Sequence, residues 1–204
     1  ENIPTFSVSG LSEGQSVTTN HLNIKIQASA PRGVARAEYY INSNLLESNS
    51  NYPFNLDSSI EFLSNGYYEL TIRVCDDIDN CGEQKINFNF KAGKKTNNES
   101  ANISLSSPTD GQNITTSNFP LSLRANISNP NVVGRIQFKI TNQEKNTNTI
   151  GPIKIASQES IETTWSLAPA NGTYSIYAEG FTWQGKTITS QPITVNITGN
   201  NSNN

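Results

Sequence analysis

Apolar and polar residues alternate with a period of two along most of the chain. Such alternation predicts β-strands that turn an apolar face towards a core and a polar face towards solvent, as in antiparallel sheets. No stretch of helical length shows a 3.6-residue apolar period. The clearest alternating runs lie at residues 22–28, 37–41, 68–74 and 86–90, and at 119–125, 136–140, 174–178 and 193–197.

Turn-forming residues separate these runs. Asn-Gly pairs at residues 65–66 and 171–172, and the Pro-Thr-Asp-Gly sequence at 108–111, are typical β-turn signals. About seven short strands per ~100 residues predict an all-β fold, and their spacing favours Greek-key β-sandwiches of immunoglobulin type. The Cys…Trp…Cys pattern of antibody domains is absent.

The same sequence pattern occurs twice. Residues 14–19 (GQSVTT) return at 111–116 (GQNITT), and residues 65–70 (NGYYEL) match 171–176 (NGTYSI). Because the matching blocks keep their order, we infer a tandem duplication of one domain. We expect two immunoglobulin-like β-sandwiches at residues 1–92 and 102–199, a polar linker at 93–101 and a polar tail at 200–204.

Composition excludes several classes of protein. The 204 residues include no Met and carry a net charge of −3. No basic patch is interleaved with aromatic residues, so we expect no nucleic-acid partner. No apolar run approaches the ~18 residues that span a bilayer, so we expect no membrane insertion in this segment. A chain that begins at Glu1 and contains no Met is expected to be either a mature secreted segment or an excised piece of a larger protein, and we favour the excised piece.

Several motifs resemble the bacterial immunoglobulin-like module found in tandem on cell-surface and secreted proteins. The motifs are SPTDG at residues 107–111, VARAEYYIN at 34–42, YPF at 52–54, NGYYEL at 65–70 and DDIDN at 76–80. The resemblance covers nearly all of both copies. It implies a structural, non-catalytic domain and does not specify a ligand.

A narrower resemblance is to the modules that follow the transpeptidase domain in some bifunctional penicillin-binding proteins. It depends on SAPRGV at residues 29–34 beside EYY at 38–40. The catalytic motifs S-x-x-K, S-D-N and K-T-G of those enzymes do not occur in the chain. The resemblance therefore implies that any enzyme lies elsewhere in a parent protein.

Cys75 and Cys81 flank a five-residue loop at the end of a predicted hairpin. Residues that flank so short a loop come within cross-strand distance, which favours a disulfide worth about 2 kcal/mol in the chain-entropy model. Two free thiols fit a secreted β module less well, and metal ligation by two Cys without a nearby His is weaker still. Because Ile72 and Val74 point inward, we expect Cys75 to face outward.

The loop between these cysteines contains three carboxylates, Asp76, Asp77 and Asp79. Carboxylate oxygens on a tight loop suit Ca²⁺, so the three residues are a candidate calcium site, although their spacing does not match an EF-hand loop. The alternative is that Asp and Asn build the turn itself. We expect no other cofactor.

Two tryptophans and one histidine are the remaining candidates for chemistry. Trp183 falls near the tip of the equivalent hairpin of the second copy, where we expect it to be exposed. There it either contacts a ligand such as a sugar or packs against the linker or a neighbouring domain. Trp165 is expected in a core, and His21 at the surface. Without a second His or a convergent carboxylate pair, we expect no catalysis.

These features favour a stalk or spacer outside the cytoplasm, appended to a larger bacterial surface or cell-wall (peptidoglycan-synthesis) protein. Its partners are then the other domains of the same parent chain, and we expect a monomer. The alternative is an adhesion module that binds cell-wall glycan or a surface protein through Trp183 and the loop at residues 76–79. A third class, adhesin repeats rigidified by calcium, predicts a Ca²⁺-dependent rise in melting temperature that Asp77→Ala abolishes.

Overall fold

A computed structural model describes residues 3–93 and 100–199. The chain divides into two compact units, Glu1–Asn98 with Trp183–Gly185, and Glu99–Thr182 with Lys186–Asn204. Most of the predicted linker at 93–101, and all of the predicted tail at 200–204, lie outside the described residues. Among those residues the one helix is a 3-10 turn at Thr116–Asn118, and no helix is long and apolar enough to cross a membrane.

The first unit is a sandwich of two sheets, as predicted. Its strands are β1 (Thr5–Ser9), β2 (Gln15–Val17), β3 (His21–Ser29), β4 (Arg36–Ile41), β5 (Asn44–Asn49), β6 (Leu56–Ser59), β7 (Gly66–Cys75) and β8 (Cys81–Phe90). The smaller sheet has the order β1-β3-β6, and the larger has the order β2-β8-β7-β4-β5. All neighbouring strands are antiparallel except β2 and β8, which are parallel.

The second unit repeats this arrangement. Its strands are β9 (Ile103–Ser107), β10 (Gln112–Thr115), β11 (Leu121–Ile127), β12 (Val133–Thr141), β13 (Thr147–Ile155), β14 (Ser160–Trp165), β15 (Gly172–Thr182), β16 (Thr187–Thr189) and β17 (Ile193–Thr198). The smaller sheet has the order β14-β11-β9, and the larger has the order β10-β17-β15-β12-β13, with β16 also paired to β15. Again the pair formed by the second and the last strand, β10 and β17, is parallel.

In the first unit, the chain crosses from the smaller sheet to the larger one between β1 and β2. The carboxylate of Glu13 accepts hydrogen bonds from the main-chain N–H and the side-chain amide of Asn87, at 2.8 and 2.9 Å. The Gly14 N–H donates to the Asn87 carbonyl oxygen at 2.8 Å. These bonds begin the parallel pairing in which Gln15 lies opposite Phe88.

The second unit makes the same crossover with an aspartate. Asp110 accepts from the Thr194 N–H at 2.7 Å, and the Gly111 N–H donates to the Thr194 carbonyl oxygen at 2.7 Å. Gly14 and Gly111 have φ angles of +73° and +75°, which a residue with a Cβ atom adopts only with strain. The repeated acid-Gly-Gln sequence is therefore the signature of this crossover.

Each unit has a hydrophobic core between its two sheets. The alternation predicted for β3 is observed, since Leu22, Ile24 and Ile26 are buried and the residues between them are exposed. Tyr39, Phe88 and Phe90 are the largest side chains fully buried in the first core. Burial of each such apolar side chain contributes about 1.5–3 kcal/mol, so these inward faces supply most of the driving force for folding.

A tyrosine near the start of β7 and of β15 ties each strand to the loop before it. The Tyr68 hydroxyl donates to the Ser64 carbonyl oxygen, and the Tyr174 hydroxyl to the Ala170 carbonyl oxygen, both at 2.8 Å. A tyrosine hydroxyl bonded to the backbone a few residues upstream is a hallmark of immunoglobulin-type sandwiches. It explains why the NGYYEL and NGTYSI sequences match.

We predict that Tyr68→Phe lowers the free energy of unfolding of the first unit by about 1 kcal/mol, because it leaves the Ser64 carbonyl oxygen without its donor. The adjacent Tyr67, 83 % exposed, provides the matched control. Tyr67→Phe should leave the stability within experimental error in urea unfolding. Equal destabilisation by the two substitutions would show that the hydroxyl bond contributes nothing.

Candidate functional site

A disulfide joins Cys75, the last residue of β7, to Cys81, the first residue of β8. The two residues lie opposite each other in the ladder, with their Cα atoms 4.1 Å apart. The predicted disulfide is therefore confirmed. Cys75 faces outward as expected, because residues that lie opposite each other in a ladder share a face and its partner is Arg36, yet none of its surface is accessible to solvent. Arg36 lies directly opposite Cys75 on β4 and extends its guanidinium over this end of the sheet to Asp79.

Asp76 holds the loop between the cysteines in its conformation. Its fully buried carboxylate accepts hydrogen bonds from the Ile78 N–H, the Asn80 N–H and the Asn80 side-chain amide, at 2.9–3.0 Å. Its own N–H donates to the Asn80 carbonyl oxygen at 3.0 Å. Burial works against ionisation, but these hydrogen bonds outweigh it and lower the pKa of Asp76 below its usual value.

The other two carboxylates of the loop bind arginine side chains. Arg32 forms a bidentate pair with Asp77, with nitrogen-to-oxygen distances of 2.7 and 2.9 Å. The hydrogen bond from Arg32 holds the pKa of Asp77 below its usual value. Arg36 reaches Asp79 at 2.7 Å. The planar guanidinium group suits such forked contacts with carboxylates.

The same arginine continues this network across the outer face of the larger sheet. Arg36 also contacts Glu38 at 2.7 Å, and Glu38 accepts from Tyr40 at 2.8 Å and pairs with Arg73 at 3.2 Å. Partial burial opposes ionisation of Glu38, yet the hydrogen bonds from Arg36 and Tyr40 keep the pKa of Glu38 below its usual value. The acidic residues here are neutralised by cations that the domain itself supplies.

The three carboxylates of the candidate calcium site thus have different partners. Asp76 bonds to its own loop, while Asp77 and Asp79 each contact an arginine. Within residues 3–93 and 100–199, no group of three or more His, Cys, Asp or Glu side chains converges as metal ligands do. The geometry favours the alternative in which these residues build the turn. The pairing with Arg32 and Arg36 was missed from the sequence because they lie about 40 residues away from the loop.

Two hairpins of the second unit use the turn geometry of the acidic loop. Thr182 and Asn142 take the place of Asp76, and their side-chain oxygens accept the N–H of Lys186 and Asn146, four residues on. In all three loops the residue before the closing one has a positive φ angle, as three- to five-residue hairpin loops require. A charged carboxylate is therefore one of several side chains that serve this turn.

The structure places the other candidate residues as follows. Trp183 lies in the turn between β15 and β16 and is half-buried, so the expectation of an exposed ring is wrong. Trp165 lies in the second core, as predicted, and contacts Phe119 and Tyr174 edge to face. His21 is exposed at the start of β3, as predicted, and its Nδ1 lies 2.8 Å from Asp57.

We predict that Ca²⁺ does not raise the melting temperature of the chain relative to chelator, because arginines already neutralise Asp77 and Asp79. A calcium site in the presence of free Ca²⁺ at 100 times its Kd would stabilise the folded domain by about 2.7 kcal/mol. The melting temperature of a 100-residue domain would then rise by about 10 °C or more. Differential scanning calorimetry with and without chelator measures this directly. A Ca²⁺-dependent rise that Asp77→Ala abolishes would contradict the account.

Comparisons with known proteins identify distant structural neighbours. Fibronectin(III)-like modules of CbhA from Clostridium thermocellum are 15 % identical, with 96 % of this chain and 94 % of that chain covered and a TM-score of 0.39. A tetra-tandem repeat from the extending region of a large adhesion protein is 11 % identical, with 97 % and 49 % covered and a TM-score of 0.39.

SGBP-B of the Bacteroides ovatus mixed-linkage glucan utilization locus, solved with a mixed-linkage heptasaccharide, is 12 % identical, with 98 % and 71 % covered and a TM-score of 0.35. Similarities this distant carry no function to the present chain. No curated protein sequence matches it significantly, and none of the comparisons supports the resemblance to penicillin-binding proteins.

The bacterial Ig domain family matches the chain twice, at residues 4–72 and 102–178. The two matches fall on the two sandwiches and together cover more than half of the chain. They agree with the duplication and the resemblance read from the sequence, and this family is a non-catalytic type of domain. The chain is therefore a tandem pair of modules that belongs to the bacterial Ig domain family.

Proposed function

We propose that this pair of domains is a stalk or spacer, outside the cytoplasm, in a larger bacterial surface protein. The observation that carries the proposal is the parallel pairing of β2 with β8 and of β10 with β17. In each domain the second strand runs beside the last strand of that domain and in the same direction. The chain therefore enters at one end of the domain and leaves at the other.

Parallel pairing at the ends also determines how a domain responds to tension. A pull on the two termini of a domain loads the hydrogen bonds between the paired strands in shear, so that several must break together. In the first domain these include the ladder from Gln15 to Val17 and the bond from the Lys91 N–H to the Val17 carbonyl oxygen, at 2.9 Å. A domain closed in this way transmits force without opening strand by strand.

The disulfide supports a location outside the cytoplasm, because such bonds persist in oxidising compartments. The carboxylates of the acidic loop support a structural role, because they bond to their own loop or to arginines of the same domain. Domains with separate cores suit a modular string. Attachment to a cell-wall enzyme is a further expectation that only the parent protein tests.

The competing function is adhesion to cell-wall glycan or to a surface protein. Its sequence-derived contact points are Trp183, which is half-buried, and the acidic loop, whose carboxylates already have partners. Retention of the chain on protein-free cell-wall glycan, lost in Trp183→Ala, would favour adhesion over the spacer. The spacer proposal predicts that the chain stays in the supernatant, with Ca²⁺ and with chelator.

We predict two discrete unfolding steps when the chain is stretched from its termini by force spectroscopy, one for each domain. Reduction of the disulfide should lengthen the step of the first domain by about 17 Å, because six residues of up to ~3.6 Å each then replace a Cα–Cα distance of 4.1 Å. The second domain contains no cysteine and should keep its step length, which makes it an internal control. Gradual extension without steps would contradict a load-bearing role.

A further inference from the structure

The two domains differ in how far one edge strand of the smaller sheet pairs with the middle strand. This edge strand is β6 in the first domain and β14 in the second. In the second domain β14 pairs with β11 from Leu121 to Asn126, and the Ile127 N–H donates to the Glu159 carbonyl oxygen. In the first domain β6 pairs with β3 only from His21 to Ile24. Beyond Ile24, no strand of the described residues lies along this side of β3.

The duplication shows which residues are left open. The matching runs of the two copies place Ala28 of β3 where Ala125 stands in β11, and Ala125 lies opposite Ile161 of β14. In the first domain the corresponding chain leaves the sheet as the loop at residues 50–55, between β5 and β6. The place beside Ala125 that β14 occupies in the second domain therefore has no strand in the described part of the first domain, beside Ala28.

The main-chain groups of β3 remain directed towards this open side. The Ile26 N–H donates to the side-chain oxygen of Asn55 at 3.1 Å, which replaces one bond of the absent strand. Because the main-chain groups of alternate residues point to the same side of a strand, the N–H and C=O of Ala28 face the same way as those of Ile26. They present a donor and an acceptor in β geometry.

A groove of about 850 Å³ lies between this open side and the loop. No charged residue lines it, and the residues that matter here are Phe6, Ala28, Ser29, Val34, Tyr52 and Phe54. The loop wall is held in place, since the Tyr39 hydroxyl donates to the Phe54 carbonyl oxygen at 2.7 Å and the Asn49 amide to the Asn55 carbonyl oxygen at 3.0 Å. Tyr52 is 87 % exposed at the rim.

We propose that this groove binds an uncharged, extended peptide segment of a partner protein, which adds as a strand to β3 at Ala28. The bound strand takes the position that β14 takes in the second domain. Its main chain pairs with Ala28, one apolar side chain enters between Phe6, Val34 and Phe54, and its alternate side chains face solvent. Main-chain pairing at an open strand is an established way to recognise peptides.

The groove favours a peptide strand over a glycan for two reasons. Its unfilled hydrogen-bonding capacity belongs to main-chain groups spaced for a β ladder, whereas a sugar requires convergent polar side chains around an aromatic face. The second domain also shows what fits, because Ile161 opposite Ala125 is 93 % buried in the corresponding place. This activity is additional to the spacer role, and either proposal stands if the other fails.

The test titrates the full chain with a blocked synthetic peptide of residues 157–162 (SQESIE) that carries Glu159→Gln and Glu162→Gln, and that ends before the part of β3 already paired with β6. We expect saturable binding, with ¹⁵N NMR shifts confined to residues 26–30 and 52–54 and with slower hydrogen exchange of the Ala28 N–H. Tyr52→Ala should weaken binding about three- to tenfold. Tyr67→Ala, which removes an equally exposed tyrosine outside the groove, should leave binding unchanged.

N-methylated peptides identify the binding mode. Methylation of the Ile161 nitrogen removes the donor that faces Ala28 and should abolish binding, whereas methylation of the next nitrogen, which faces solvent, should be tolerated. Equal behaviour of the two methylated peptides, or no saturable binding of the parent peptide, would overturn the proposal. Shifts at Tyr52 produced by soluble cell-wall oligosaccharides, but not by the peptide, would overturn it in favour of a glycan site.

Discussion

In each domain the chain must cross from the smaller sheet to the larger one between the first and second strands, and the rest of the fold depends on this crossover. At the point of crossing, the edge of the last strand carries main-chain groups that no strand among residues 3–93 and 100–199 covers, and such groups need partners. Glu13 supplies an acceptor for the Asn87 N–H, and Asp110 does so for the Thr194 N–H. Once this edge is paired, the second strand can align in parallel with the last one and complete the sandwich.

Much of this architecture could be predicted from the sequence, because apolar and polar residues alternate strictly in strands that have one face towards the core and one towards solvent. Edge strands were harder to predict. β13 carries Gly151 and Pro152 in its interior and leaves Ile153 and Ile155 about half exposed, so its alternation is lost. β5 is mostly half-buried for the same reason. Neither strand faces a complete core, so the pressure that produces a period of two is weak there.

The candidate site was only partly predictable. The disulfide follows from local spacing, since Cys75 and Cys81 are close in sequence and opposite in the hairpin. The partners of the loop carboxylates do not follow from local spacing, because Arg32 and Arg36 come from a different loop and a different strand. A single sequence shows the charges but not which of them meet. The same limit hides the groove, which depends on where β6 stops pairing with β3.

Amide hydrogen exchange in Asp110→Ala tests most directly whether the crossover closes the sandwich. We expect faster exchange along both β10 and β17, with β11, β14 and the whole first domain unchanged, because loss of the carboxylate frees the parallel pair and leaves the smaller sheet intact. Faster exchange at Thr194 alone, with the rest of β17 still protected, would contradict it.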